Sequence, residues 1–345
     1  MKFSSKLFKW YKKNKRDLPW RKTKDPYKIW ISEVILQQTK VNQGLPYYLK
    51  FLKKYPSLNK LSLAKEEEVL LIWQGLGYYK RAINLLESAK RIIDVNKGVF
   101  PNNFNDILKI KGVGDYTASA ISSICFGEKE VVIDGNVFRF ISRLFGIKRD
   151  AKLKSTLSYF KKKLKALMGN LNPGDFNQAL MEFGALQCLP KNPLCYSCVF
   201  KLKCKAYLKE DVESYPQKTN KISKKKRHFN YIVISSNKKV ILKKRTEDDI
   251  WKNLYEFPLI EGEYTELDQL VNKKEFIKLK NKHKKPIKFI QQESVKRLLS
   301  HQILNITFWI FNSKEINKNS FSLKEISNLP KPVVISDFIN KHLKS

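Results

Sequence analysis

From Met1 to about Leu208 apolar side chains return every three or four positions, as in Ile29, Ile31, Val34 and Ile35 and again in Val69, Leu70, Ile72 and Trp73. That period lines one face of a helix, so residues 1–208 are expected to fold as a mainly helical domain. The pattern fades over 209–227, KEDVESYPQKTNKISKKKR, where polar and basic residues collect and a solvated linker is expected. Beyond it the period shortens. FNYIVISS, KKVILKKR and ITFWIFNS are short runs rich in Ile, Val, Phe and Tyr, separated by turn residues such as Ser236-Asn237, and they predict strands. Helical patches near Leu267 to Leu279 and Ile335 to Leu343 make 228–345 an α+β domain. A chain of 345 residues suits two cores, since one domain usually takes about 100–200 residues.

Charge narrows the class of partner. The formal net charge is +36 and the pI about 9.9, so the protein repels itself unless a polyanion such as nucleic acid offsets it. A genome biased toward lysine gives the same sign, and both causes fit the abundance of Lys, Asn and Ile. No run approaches the roughly 18 apolar residues of a membrane span, and MKFSSKLFKWYKKNK is broken by lysines where a signal peptide needs an apolar core. A cytoplasmic protein is expected. In that reducing compartment five cysteines do not read as a disulfide framework.

Cys188, Cys195, Cys198 and Cys204 form C-x6-C-x2-C-x5-C within one short loop. Four thiolates so placed can hold tetrahedral zinc or an iron–sulfur cluster. Cys125, alone in the apolar run SAISSICFG, reads as a small buried hydrophobe.

FNDILKIKGVGDYTASAISSICFG joins an apolar helix, a KGVGD turn and a second helix starting near Tyr116, which together look like a helix-hairpin-helix. Gly112 and Gly114 let the backbone turn and approach a partner, and the free N–H groups at the following helix start can bind a DNA phosphate. Such a contact positions a protein without reading sequence.

LPWRKTKDPYKIWISEVILQQTKV, WQGLGYYKRAINL, IKGVGDYTASAI, VIDGNVFRFISR and FNQALMEFGALQC together resemble the MutY-type adenine glycosylases among the endonuclease III-like helix-hairpin-helix enzymes. The resemblance implies a base-excision-repair enzyme that cuts adenine from mispairs with 8-oxoguanine or guanine in double-stranded DNA and works as a monomer. It also implies that the cysteine loop holds a [4Fe-4S] cluster. Cleaving the adenine–sugar bond requires a proton for the leaving base and a negative group beside the oxocarbenium-like sugar. The resemblance assigns these to Glu33, as general acid and then base, and to Asp134, which stabilises or bonds covalently to the sugar. Read without it, Glu33 in IWISEVIL is more often a surface glutamate than a catalyst, while the apolar residues around it favour burial and a raised pKa that keeps it protonated. By the same carry-over Asn136 and Tyr116 orient the two carboxylates, Arg21 and Gln178 line the adenine pocket, and Gln38 and Tyr78 wedge into the DNA stack. Core packing is an equal reading of Tyr78. Bifunctional relatives carry a lysine nucleophile where this chain has Tyr116, so a monofunctional enzyme is expected.

In the second half DDIWKNLYEFPLIEG resembles the Nudix fold, but no G-x5-E-x7-RE-x2-EE-x-G box follows, so nucleotide hydrolysis is not expected. The family's Phe-Ser-His loop for 8-oxoguanine has its counterpart in Leu299, Ser300 and His301. A hydroxyl both donates and accepts, which suits the altered edge of that base. A polar strand end is the other reading of Ser300-His301. Two rivals remain at this point: a thymine or oxidised-pyrimidine glycosylase with lyase activity, and a silent DNA-binding or redox module.

Overall fold

The computed structural model describes residues 2–150, 153–217, 223–236, 239–282, 285–316 and 320–343. Asn237 of the expected Ser236-Asn237 turn, and 218–222 of the expected linker, lie outside the described residues.

The chain forms two compact units, Met1–Leu63 with Asn84–Asn220, and Ala64–Ile83 with Lys221–Ser345. The first is helical. Its helices start where local chemistry allows: Pro26 opens Pro26–Leu36 while the Asp25 side chain accepts from Tyr27 N, and Pro173 opens Pro173–Leu186 beneath an Asn172 cap. Gly127 and Gly146 end Asp115–Phe126 and Gly135–Phe145 in the left-handed conformation that glycine adopts at least cost. Trp10, Phe140, Phe160, Phe176 and Phe183 fill one core, and Cys188, Cys198 and Cys204 pack against its edge.

In the second unit the strands are β1 (Lys225–Ser236), β2 (Lys239–Ile241), β3 (Lys243–Lys244), β4 (Tyr255–Glu256), β5 (Leu259–Glu261), β6 (Ile287–Leu298), β7 (Gln302–Ser313) and β8 (Ser320–Ser322). The main sheet runs β6-β7-β1-β2-β8, with β5 paired to β1. β1 lies parallel to β7 and buries both faces, Phe229, Tyr231 and Val233 toward one core and Ile232 and Ile234 toward the other. That explains why FNYIVISS reads as a continuous apolar run rather than an alternating one. β1 begins at Lys225, inside the expected linker, because Lys225, Lys226 and Arg227 stay in register with Gln302, Ile303 and Leu304.

The helix Glu66–Trp73 and the turn after it belong to this second unit although their sequence reads like the helical domain. Lys244 Nζ reaches Glu67 at 2.6 Å, Gln74 donates to Ser336 Oγ at 2.8 Å, and Lys331 N donates back to Gln74 at 3.2 Å. Among the described residues no helix is long and apolar enough to cross a membrane.

Candidate functional site

The helix Phe104–Leu108, the turn through Gly112 and the helix Asp115–Phe126 make the expected hairpin. Gly112 has φ +81°, and a Cβ there would come within 3.0 Å of Asn84. Gly114 is extended and caps the next helix with open space where a Cβ would be, so its contribution is an unobstructed approach to the helix N-terminus.

Tyr116, in the first turn of that helix, faces Glu33. The burial of the helix Pro26–Leu36 extends nearly all round it, enclosing Ile29, Ile31, Ser32, Val34 and Ile35 as well as Glu33. Desolvation pushes the Glu33 carboxyl up to about 7, against a hydrogen bond from Tyr116 and with help from the charge of Asp134. The Tyr116 hydroxyl is raised well above its usual value, first by burial and then by the two carboxylates, and it also lies 3.4 Å from Met181 Sδ. Asp134 is the N-cap of Gly135–Phe145 and accepts from Val137 N at 2.7 Å and Asn136 Nδ2 at 2.7 Å. Burial raises its pKa, and those two donors and the Arg139 guanidinium oppose the rise.

Glu33, Tyr116, Asp134 and Asn136 line one cleft of about 600 Å³ together with Arg21, Gln38 and Gln178. The cleft also holds Arg16, Glu182 and Lys40, which the sequence reading did not single out. Glu182 is buried and anchors both arginines: Arg21 Nη1 and Nη2 donate to it at 2.9 and 2.7 Å, Arg16 Nε and Nη2 at 3.0 and 2.6 Å. Burial alone would raise the Glu182 carboxyl, but these hydrogen bonds outweigh it and hold the group down at about 2. Gln178, one helical turn before Glu182, accepts from Tyr11 Oη at 2.9 Å. The signal in the sequence was that spacing of four, which puts Gln178 and Glu182 on one helix face.

The four cysteines border a small cavity of about 20 Å³ together with Arg143 and Phe140. Burial raises the thiols of Cys195 and Cys204 and pushes Cys198 up to about 11. Among the described residues no three His, Cys, Asp or Glu side chains close on a single ion. Two arginines a turn apart face this loop. Arg139 donates to Cys188 O at 2.9 Å, Gly184 O at 2.7 Å and Asn136 Oδ1 at 3.0 Å.

Gln38 and Tyr78 share an unusual feature: both are non-glycine residues in the left-handed region, at φ 56° and 49°. Tyr78 lies in the second compact unit, between Gly77 and the helix Lys80–Asn96, and its ring is 40% exposed, so it is not a core residue. Its hydroxyl is hydrogen-bonded to Ser300 Oγ. Ser300 and His301 are exposed at the tip of the β6–β7 hairpin, which Leu299 N closes on Gln302 O at 2.9 Å. Leu299 itself packs against the domain core and Leu298 is the exposed leucine.

Both halves of the chain have known relatives. Residues 31–166 match the HhH-GPD superfamily of base excision DNA repair proteins, and residues 230–341 match the NUDIX domain. Over 343 residues, 96% of each chain, the sequence is 36% identical to an adenine DNA glycosylase of Buchnera aphidicola from Schizaphis graminum. A thermostable thymine-DNA glycosylase of known structure is 32% identical with a TM-score of 0.56, covering 60% of this chain and 95% of that one. Endonuclease III in a non-covalent DNA complex has a TM-score of 0.53 at 21% identity, over 60% of this chain and 94% of that one, a likeness of fold. With both domains matched and the likeness to a named glycosylase running nearly end to end, the chain belongs to the adenine DNA glycosylases of base excision repair.

Proposed function

We propose that the protein removes adenine paired with 8-oxoguanine, and adenine paired with guanine, by monofunctional hydrolysis that leaves an abasic site. The observation that carries this reading is a buried glutamate held near neutral pKa in the same cleft as a second carboxylate capped by N–H donors. Two acids whose surroundings differ in this way divide the work of proton donor and anion between them. A cleft of about 600 Å³ also suits a base swung out of the duplex.

In this mechanism adenine enters beside Arg21 and Gln178 while Gln38 and Tyr78 fill the space left in the stack. Glu33, protonated, gives its proton to the leaving base as the C1′–N bond breaks. Asp134 stabilises the positive sugar, electrostatically or as a transient ester. Glu33, now a carboxylate, takes a proton from the attacking water, and free adenine departs. Tyr116 and Asn136 hold the two carboxylates in place through the bonds described above. The one amine among the described lining residues is Lys40, and no lysine occupies the place of Tyr116. Gly112 and Gly114 open the hairpin to a phosphate, and Ser300 and His301 read the opposite base.

The cysteine loop fits a [4Fe-4S] cluster: four thiols from one compact loop edge a single cavity, the donor set such a cluster takes. Such a cluster supplies a cross-link that fixes the loop.

Duplexes carrying A opposite 8-oxoguanine, A opposite guanine and T opposite guanine test the reading, each analysed with and without alkali. Adenine loss from the first two, with strand breaks only after alkali, is expected. Thymine loss, or breaks without alkali, would overturn it.

A further inference from the structure

Arg143 is among the largest fully buried side chains of the protein, at 2% exposure. Its Nε donates to Val212 O at 3.0 Å and Tyr215 O at 3.1 Å, Nη1 to Leu189 O at 2.5 Å, and Nη2 to Pro190 O at 3.0 Å. Nη1 also lies 3.5 Å from Cys188 Sγ. None of these partners is a carboxylate. The other buried arginine among the described residues, Arg245, has Glu256 at 3.0 Å, and the partly buried Arg21 has Glu182 at 2.7 Å. A buried cation satisfied only by carbonyls still lacks its counter-charge, which leaves the cost of its desolvation unopposed by an anion.

Taking the cluster reading as its basis, we propose that Arg143 draws its missing anion from the loaded cysteine loop and thereby couples loading of that loop to the docking of Val212–Tyr215. Four thiolates outweigh the positive charge of an iron–sulfur core, so the loaded site is anionic on the side where Nη1 meets Cys188. The same guanidinium binds both sides of the junction. Leu189 and Pro190 come from the cysteine loop, and Val212 and Tyr215 from the chain that follows it. Tyr215 lies at that junction, buried at 5% exposure. Arg143 is a positioning residue, and it reaches neither the cleft nor the DNA-facing hairpin.

The test compares full-length protein, Arg143→Lys and Arg143→Met. Iron per chain and visible absorption of the wild type come first, because a colourless iron-free protein overturns the cluster reading and this inference with it. With an iron-loaded wild type, Arg143→Met should release iron to a chelator at least about tenfold faster, as losses beside metal ligands do. Its cluster potential, by voltammetry without DNA, should fall, since a nearby cation favours the reduced form. Arg143→Lys keeps the charge but cannot span four carbonyls. It should hold its potential near the wild type yet open the amides around Tyr215 to hydrogen exchange, and it serves alone if the methionine variant does not fold. Stripping iron from the wild type should expose Tyr215 in the same way. Protection of Tyr215 in both the stripped protein and Arg143→Lys, or an unchanged potential and release rate in Arg143→Met, would overturn the coupling.

Discussion

Tyr78 and Ser300 meet through their hydroxyls, although 222 residues separate them in sequence. Both belong to the second compact unit, so the residue proposed to wedge into the stack and the residue proposed to read 8-oxoguanine share one neighbourhood. A hydroxyl bonded to Tyr78 is fixed in direction before the lesion arrives, which lowers the ordering cost of recognition.

Tyr78→Phe keeps the ring and loses only this bond, whereas Ser300→Ala loses the reader itself. Each should lower the preference for A opposite 8-oxoguanine while sparing A opposite guanine. Because the two groups touch, their effects should fall short of additive by about 0.5–3 kcal/mol. Affinities of the two single variants and the double variant on both duplexes complete the cycle; strict additivity would separate the two residues functionally.

Glu33 sets an alkaline limit. Its folded pKa of about 7 lies above the ordinary 4.5, so its contribution to stability is fully present below about 4.5 and is lost as pH rises through 7. The cost above pH 7 is on the order of 3 kcal/mol by the conversion of about 1.36 kcal/mol per unit. Glu33→Gln should therefore abolish excision, keep mismatch affinity, and raise the melting temperature at pH 8 while changing it little at pH 4. Wild-type single-turnover rates should decline as pH rises above 7. A flat rate between pH 6 and 9, or no gain in stability at pH 8, would remove Glu33 as the acid.

Glu182 works in the opposite direction. Held at about 2, its carboxylate contributes stability that is present above about 4.5 and is lost as pH falls toward 2. Glu182→Gln leaves Arg16 and Arg21 facing each other without an anion, a loss of about 3–5 kcal/mol for a broken buried pair. Thermal unfolding should show that loss in full at neutral pH and a shrinking part of it as pH falls from about 4.5 toward 2. If Arg21 lines the adenine pocket, the excision rate should drop more than duplex affinity does.

The two-domain plan was readable because the apolar period changes from helical to strand-like, and the cysteine loop because its spacing is compact. Contacts far apart in sequence were not readable. Glu182 meets Arg16 across 166 positions, and nothing in FNQALMEFGAL names its partner. Arg143 looks like one more basic residue in VFRFISR until its helix is set against the cysteine loop. Burial of Glu33 was legible from its neighbours: Ile29, Ile31, Val34 and Ile35 are spread round the helix, leaving no wide solvent face. The helix Glu66–Trp73 shows a further limit, since periodicity reveals that a helix is packed but not which core it packs on.

That helix decides what a shortened chain should do. A protein ending near Lys209 keeps every lining residue of the cleft, from Arg16 to Ala185, and both carboxylates. It loses Lys244, Lys331, Ser336 and Ser300, the partners of Glu67, Gln74 and Tyr78. Ala64–Ile83 then has no unit to close on, and a segment stripped of its contacts opens locally at low cost. Adenine should still leave an A opposite guanine duplex, more slowly, because the Tyr78 turn is no longer held. Preference for 8-oxoguanine should collapse further, by about 1–3 kcal/mol for each lost contact to the base edge. Alanine at both Ser300 and His301 in the full-length chain should reproduce the loss of preference without the loss of order. Hydrogen exchange over 64–83 reads the order, and single-turnover rates at one salt concentration read the preference, since phosphate contacts dominate total affinity. Protected amides in the shortened chain would detach Ala64–Ile83 from the C-terminal sheet, and an unchanged preference in both proteins would move lesion reading out of the β6–β7 hairpin.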